Sequence, residues 1–226
     1  MKYLFLHIPK SGGSYIHKAK EDKIISDSIV TPYEYSNGLR WHMSFIPGSE
    51  IYANPKTDFA LSYSDYDCIQ STPVWSENPK VFTVLRDPWT TLWSLFCHNN
   101  FDGFDNVNKR VNLYSFHKFI DWFTNDKNEW GINSINTPFK KDLYYQCYNK
   151  DKEVMADISI NFDTLNSSLE KFFKEIGCLN KDLPQEKIRQ GMPFDKECLY
   201  DKSRFNLVGD KYYNSFNDIK KNSLFI

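Results

Sequence analysis

A lysine, two serines and two adjacent glycines follow one another after a short apolar segment near the amino end of the chain. The run Lys10-Ser11-Gly12-Gly13-Ser14 comes shortly after the uncharged segment Tyr3–Ile8. Adjacent glycines let the backbone turn so that several N–H groups and a lysine ammonium surround one anion. If Ser14 caps a helix that begins near Tyr15, the positive end of the helix dipole adds to this attraction. The spacing therefore predicts a phosphate-binding loop that includes Tyr15.

The order of residues in this loop differs from that of the commonest nucleotide-binding loop. A Walker A sequence, G-x-x-x-x-G-K-[ST], places its lysine after the last glycine, whereas Lys10 precedes Gly12 and Gly13. The chain also has no clear apolar run ending in an aspartate that would hold Mg²⁺ for phosphoryl transfer. We therefore expect the loop to bind a phosphate group without a metal.

A second segment combines a strand signal, an arginine and the start of a helix. Lys80–Leu85 is apolar and β-branched, and Arg86, Asp87 and Pro88 follow it directly. Asp87 suits the cap of a helix and Pro88 its first turn. Helical spacing of apolar residues then continues to about His98: Trp89, Leu92, Trp93, Phe96 and Cys97.

Arg86 and Ser94 are the residues of this second segment that could bind a phosphate. A guanidinium at the end of a strand offers several N–H groups in one plane, and Ser94, two helical turns further on, can add a hydroxyl. By itself, Arg86 could equally form an ion pair with Asp87 or with a surface carboxylate.

Together, the two segments resemble the donor-binding motifs of sulfotransferases that use 3′-phosphoadenosine 5′-phosphosulfate (PAPS). Residues 7–14, HIPKSGGS, resemble the 5′-phosphosulfate loop of the carbohydrate-sulfotransferase branch, H-I-P-K-[ST]-G-[GS]-[ST]. Residues 86–94 resemble the 3′-phosphate motif of that family, R-D-P-x-x-R-x-x-S, except that Thr91 stands where the motif has its second arginine. The two motifs cover only a small part of the chain.

The resemblance implies transfer of a sulfuryl group from PAPS, as co-substrate, to a hydroxyl of an acceptor, which we expect to be a carbohydrate. Lys10 and the loop would bind the donor, and Lys10 would stabilise the leaving phosphate oxygen. Arg86 and Ser94 would hold the 3′-phosphate. Sulfotransferases of this type often close over the nucleotide with a late basic loop, so Arg204 is the expected substitute for the cation absent at Thr91.

A sulfuryl transfer to a hydroxyl also needs a general base, for which histidine is the usual residue near neutral pH. We expect His42 to be this base, because Trp41-His42-Met43-Ser44-Phe45 is similar to the H-x-P-F-like segment that carries the base in part of the family, with Ser44 in place of proline. His7 is expected to pack against or orient the loop. The other three histidines lie on predicted helices: His17, His98 and His117.

Strands that alternate with helices predict an α/β fold, with one domain over residues 1–226 and a central, mostly parallel sheet flanked by helices. This is a P-loop-like arrangement of the sulfotransferase or nucleotide kinase type, with the donor at the carboxyl ends of the strands. Besides Tyr3–Ile8 and Lys80–Leu85, the predicted strands are Lys23–Val30 and Val154–Ile160, with weaker candidates at 59–63 and 67–70. Helices are predicted at 15–21, 88–98, 114–123, 139–148, 164–176 and 212–221, with loops or irregular structure at 31–55, 99–112 and 179–205.

Composition excludes several other classes of protein. The chain has 28 basic and 29 acidic residues, a balance that argues against nucleic acid as the main partner. Five dispersed cysteines favour a reducing compartment. We see no signal peptide and no apolar run near the about 20 residues of a membrane span, so we expect a cytoplasmic protein. The oligomeric state stays open.

Two alternatives to a sulfotransferase remain open from the sequence. The first is a P-loop kinase of a nucleoside or small metabolite, which would require ATP and Mg²⁺. The second is a non-catalytic relative that binds a nucleotide or a glycan, because Thr91 and Ser44 depart from the family motifs.

Overall fold

The computed structural model describes residues 1–31, 73–98, 113–125, 142–149, 151–184 and 196–226. Several predictions fall wholly or largely outside these ranges, namely the base His42, the loops at 31–55 and 99–112, and the weak strands at 59–63 and 67–70.

Within the described ranges, five parallel strands form one sheet in the spatial order β2-β1-β3-β4-β5. Their bounds are β1 Tyr3–Leu6, β2 Ile29–Val30, β3 Lys80–Leu85, β4 Ile158–Asn161 and β5 Leu224–Phe225. Because all five strands run in the same direction, their carboxyl ends meet at one edge of the sheet. The predicted α/β class and parallel sheet are confirmed, and β3 has the predicted bounds.

Helices flank this sheet. They are α1 Gly13–Glu21, α2 Pro73–Ser76, α3 Pro88–His98, α4 Leu113–Thr124, α5 Leu165–Glu175, α6 Lys196–Leu199, α7 Lys202–Val208 and α8 Asn214–Asn222. Single 3₁₀ turns lie at Tyr145–Cys147 and Phe162–Thr164, and a π-helical turn, Gly209–Tyr213, joins α7 to α8. None of the helices within the described ranges is long and apolar enough to cross a lipid bilayer.

The two faces of the sheet are covered by different helices, because successive strand residues point to opposite faces. Phe5 of β1 stacks on Phe82 of β3, with ring centroids 5.1 Å apart, in a cluster shared with α1 and α5. On the opposite face, Leu4 and Leu6 pack with Trp75 of α2. A further cluster, rich in aromatic residues, joins α3, α4 and α8 beside the end of β3.

The predicted strand Lys23–Val30 is wrong over most of its length. Only Ile29–Val30 pairs with β1. Lys23 has a φ of 53°, which turns the chain directly after α1. Ile25 then forms an antiparallel bridge with Leu179 and is buried beneath α1 and α5. The alternation of this segment therefore reflects burial in a turn, not a long edge strand.

The predicted helix at 139–148 is also wrong over the part that the structure describes. The carboxylate of Asp142 accepts a hydrogen bond from the N–H of Tyr144 at 2.9 Å, a local bond that competes with helix formation. Tyr144 is fully buried, and its hydroxyl donates to the carbonyl of Arg86 at 2.7 Å. The segment therefore turns into the core as a 3₁₀ turn.

Near the carboxyl end, the structure contains more regular secondary structure than predicted. The stretch predicted as irregular holds α6 and most of α7. Asp201 caps α7, since its carboxylate accepts a hydrogen bond from the N–H of Arg204 at 2.9 Å. Helix α8 corresponds to the predicted last helix, and β5 was not predicted.

Candidate functional site

The glycine turn ends at a helix whose first N–H groups are not capped by a side chain. Helix α1 begins at Gly13, and its N-cap is Gly12, with a φ of 81° in the left-handed region that favours glycine. The prediction that Ser14 is the cap is wrong, because the carbonyl of Gly12 already accepts the N–H of Tyr15 at 3.0 Å. Ser14 lies in the first turn and is exposed. At the start of a helix the first N–H groups point out of its amino end, here toward the glycine turn.

His7 packs directly against this turn, as predicted. Its imidazole is buried and lies edge-on to Phe5, with ring centroids 5.6 Å apart. A Cβ added at Gly13 would lie only 1.8 Å from Cδ2 of His7. The second glycine of the loop is therefore required by the close approach of the imidazole, whereas Gly12 is required by its backbone conformation.

Ser11 supplies a buried hydroxyl to the loop. Its N–H donates to the carbonyl of Ile8 at 3.2 Å, which closes the turn after β1. The side chain has no exposed surface, and its Oγ forms no hydrogen bond with any residue that the structure describes. A buried hydroxyl normally has a partner, so this atom fits a loop that binds a polar group from solution.

Arg86 lies at the end of β3 and contacts the loop directly. Its Nη1 donates to the backbone carbonyl of Lys10 at 2.9 Å, and its Nε donates to Oγ1 of Thr90 at 3.1 Å. The ring of Phe162, at the end of β4, covers the guanidinium with 4.2 Å between Cζ and the ring centroid. The ends of β1, β3 and β4 thus bring the two predicted phosphate-binding segments together.

The guanidinium of Arg86 is largely removed from solvent. The side chain is 8% exposed, and burial lowers its pKa below the ordinary value, while the nearby carboxylates of Asp87 and Asp163 act in the opposite direction. Arginine keeps its charge at neutral pH in proteins. A fixed positive charge with N–H groups beyond the two that are bonded therefore stands beside the loop.

Helix α3 has a closed amino end, in contrast to α1. Oδ1 of Asp87 accepts the N–H of Thr90 at 3.0 Å, which confirms the predicted cap. The same carboxylate forms an ion pair with Nζ of Lys196, the first residue of α6, at 3.1 Å. Arg86 forms no ion pair with Asp87 within the described ranges, since its Nε is bonded to Thr90.

One face of α3 turns polar groups toward Lys10 and Arg86. Thr90, Ser94 and Cys97 lie at helical spacing along it, and Thr90 already contacts the guanidinium. Partial removal of the Cys97 thiol from water raises its pKa, while the charges of Lys10 and Arg86 lower it, so this face lies within electrostatic reach of both cations. Ser94, half-buried, stands between Thr90 and Cys97. Cys97 is exposed, so its predicted place on the apolar stripe is wrong.

The structure does not bring Arg204 to this site. Its guanidinium contacts the carboxylates of Asp121 and Asp201 and approaches Nδ1 of His117 at 3.4 Å, which fastens α7 to α4. Thr91 is fully buried, and its hydroxyl donates to the carbonyl of Asp87 at 2.8 Å. An arginine in place of Thr91 would therefore have to point into the core.

The remaining predicted residues have mixed outcomes. The hydroxyl of Tyr15 donates to the carbonyl of Pro184 at 2.9 Å, which ties α1 to the segment after α5. His42 lies outside the described residues. Within the described ranges, no group of three or more histidine, cysteine, aspartate or glutamate side chains could hold a metal ion.

No family model, curated protein or solved structure matches the chain.

Sequence reasoning missed Thr90 and Phe162, which contact Arg86, and Lys196, which pairs with Asp87. Thr90 had a detectable signal, because it lies at i, i+4 from Arg86 and three residues after the capping aspartate. Phe162 lies two residues after the end of the predicted strand Val154–Ile160, so the parallel sheet would have placed it at the same edge. Lys196 had no such signal, since its position depends on how the chain returns after α5.

Proposed function

We propose that the protein is a PAPS-dependent sulfotransferase that transfers a sulfuryl group to a hydroxyl of an acceptor, with a carbohydrate as the favoured class. The observation that supports this most strongly is the hydrogen bond from Arg86 to the carbonyl of Lys10. This bond joins the glycine turn after β1 to the buried guanidinium of Arg86 at the carboxyl edge of a parallel sheet, where open α/β sheets bind ligands.

Each part of the site has a role that follows from its chemistry. The loop, with the N–H groups of Gly13 and Ser14 and the hydroxyl of Ser11, would bind the 5′-phosphosulfate. The N–H groups of Arg86 that are not bonded to Lys10 or Thr90 would bind the 3′-phosphate, with Ser94 beside them. Because the cap of α3 is an aspartate, the 3′-phosphate would approach Arg86 from the side of Ser94 and not along the helix axis.

In the proposed reaction, the acceptor hydroxyl attacks the sulfur of PAPS and loses its proton to His42. The bond between sulfur and the bridging oxygen breaks, and its electron pair stays on the phosphate of adenosine 3′,5′-bisphosphate. The ammonium of Lys10 stabilises the charge that develops on this oxygen, as preorganised cations do in related group transfers.

We expect His42→Ala to abolish turnover and to leave binding of the bisphosphate nearly unchanged. Wild-type turnover in this variant would remove His42 from the mechanism.

A thermal-shift comparison tests the proposal. A ligand that binds only the folded state raises the melting temperature by mass action, so adenosine 3′,5′-bisphosphate should stabilise the protein without Mg²⁺. Stabilisation by ATP–Mg²⁺ and not by the bisphosphate would favour a kinase and contradict the proposal. A protein that binds the bisphosphate, but does not release it from PAPS with any glycan of a panel, would be a non-catalytic relative.

A further inference from the structure

Lys10 has a backbone conformation that residues with a Cβ rarely adopt. Its φ is 66°, in the left-handed region, although it is not a glycine. Such a conformation is unfavourable by itself and persists where neighbouring contacts hold it. One contact of this kind is visible, the hydrogen bond from Nη1 of Arg86 to the carbonyl of Lys10, which joins positions 76 residues apart.

The guanidinium that makes this contact is itself held in place. Thr90 accepts a hydrogen bond from its Nε, and the ring of Phe162 lies over its plane. Hydrogen bonds from a charged donor are stronger than those between neutral groups. Losing the Lys10 carbonyl would also leave a buried charge with one acceptor fewer, which is unfavourable.

We propose that Arg86 is a positioning residue for the anion-binding loop, and that it acts by holding the carbonyl of Lys10 while Lys10 is left-handed. This contact keeps the turn before Gly12 in the shape from which α1 begins. The inference rests on the proposed function only for the identity of the anion. Because the same guanidinium would also face the 3′-phosphate, the two ends of the donor are coupled through Arg86.

Two backgrounds that differ only in backbone strain separate this role from a direct contact with the anion. Lys10→Ala and Lys10→Gly both remove the ammonium, but only the alanine chain retains the cost of a left-handed residue with a Cβ. Arg86→Lys is then introduced into each background. The probe is inorganic pyrophosphate, which mimics the 5′ group and has no 3′-phosphate, and its dissociation constant is measured by calorimetry.

Arg86→Lys should weaken pyrophosphate binding about tenfold in the Lys10→Ala background, the upper range for loss of one hydrogen bond. In the Lys10→Gly background, the weakening should be at most about twofold to threefold, because glycine adopts the conformation without help. Equal weakening in both backgrounds would mean that Arg86 contacts the anion directly, and would overturn the inference.

Urea unfolding of the same four chains gives a second readout that needs no ligand. Arg86→Lys should reduce the folding equilibrium constant less in the alanine background than in the glycine background, by about twofold to threefold against tenfold. Once the contact is lost, the alanine loop relaxes out of its strained conformation, and this relief offsets part of the lost bond, whereas the glycine loop has no strain to relieve. If no chain binds pyrophosphate or adenosine 3′,5′-bisphosphate but this difference persists, the proposed function fails and the positioning role stands.

If Arg86→Lys does not fold, Thr90→Val replaces it. This variant removes the acceptor of Nε and should give the same pattern. Equal losses of stability in the two backgrounds would overturn the positioning role.

Discussion

Helices α1 and α3 both begin at the carboxyl edge of the sheet, and their amino ends are built in opposite ways. Helix α1 begins after a left-handed glycine and has no side-chain cap. Helix α3 begins after Asp87, whose carboxylate accepts the N–H of Thr90 and also pairs with Lys196. Each follows a strand and a tight turn, so the two segments look alike in the sequence.

Because of this difference, the two proposed phosphate sites would attract an anion through different groups. An anion at α1 would meet the amino end of a helix whose cap residue, Gly12, has no side chain, and the helix dipole would attract it. An anion at the amino end of α3 would have to displace the carboxylate of Asp87, which already interacts with the dipole of that helix. The second site must therefore depend on Arg86 and on the polar face of α3 that carries Ser94.

The largest expected effect is at Lys10, in the turn before α1. Lys10→Ala should lower turnover of PAPS about 10²–10³-fold, since it removes a charge that stabilises the leaving oxygen. The measurement is release of adenosine 3′,5′-bisphosphate from PAPS in the presence of a glycan panel. Lys171→Ala, on the exposed face of α5, is the matched control and should retain full turnover. Equal activity of the two variants would exclude Lys10 from the chemistry.

The next effect tests why the loop needs its second glycine. Gly13→Ala should lower the free energy of unfolding by about 3 kcal/mol, because the new methyl group overlaps the imidazole of His7. Gly177→Ala is the control: its φ is 65°, but a Cβ there has nothing within 4 Å. It should cost only about 1 kcal/mol, the strain of a left-handed alanine. Urea denaturation of both variants decides, and equal losses would refute the close contact with His7.

A smaller effect tests the contrast between the two caps. Asp87→Ala should lower the free energy of unfolding by about 1–2 kcal/mol through loss of the cap of α3. Ser14→Ala should change it by less than about 0.5 kcal/mol, as expected for a surface position that is not a cap. A serine variant as unstable as the aspartate variant would mean that α1 is capped by its side chain after all.

The smallest expected effect concerns the polar face of α3. Ser94→Ala should weaken binding of adenosine 3′,5′-bisphosphate about threefold to tenfold, the range for one hydrogen bond. Ser167→Ala, on α5, is the control, because its hydroxyl bonds to the carbonyl of Thr164, the residue that precedes this helix. Titration calorimetry should show unchanged affinity for that control. No change in the Ser94 variant would remove its hydroxyl from the site.

The strand, turn and helix around Arg86 could be predicted because their signals are local. A β-branched run, an aspartate and a proline specify β3, the cap and α3 without help from distant residues. The predicted bounds of β3 and α3 agree with the structure for this reason. The same holds for α5, whose apolar stripe and following Gly177 set its length.

The start of α1 could not be settled locally, because serine and glycine are both acceptable N-caps. The choice of Gly12 over Ser14 goes with the packing of His7 against Gly13, a contact that depends on the strand and the helix together. The hydrogen bond from Arg86 to the carbonyl of Lys10 likewise could not be predicted from the sequence. A parallel sheet predicts that both residues lie at one edge, but the bond depends on the backbone conformation of Lys10.

The most direct test of the two-site account is a calorimetric cycle with two ligands and two chains. Adenosine 3′,5′-bisphosphate and adenosine 5′-phosphate are each titrated into the wild type and into Arg86→Ala. The account predicts that removing the 3′-phosphate weakens binding at least about tenfold in the wild type, as expected for a charged contact, and hardly at all in Arg86→Ala. Equal weakening in both chains would contradict it.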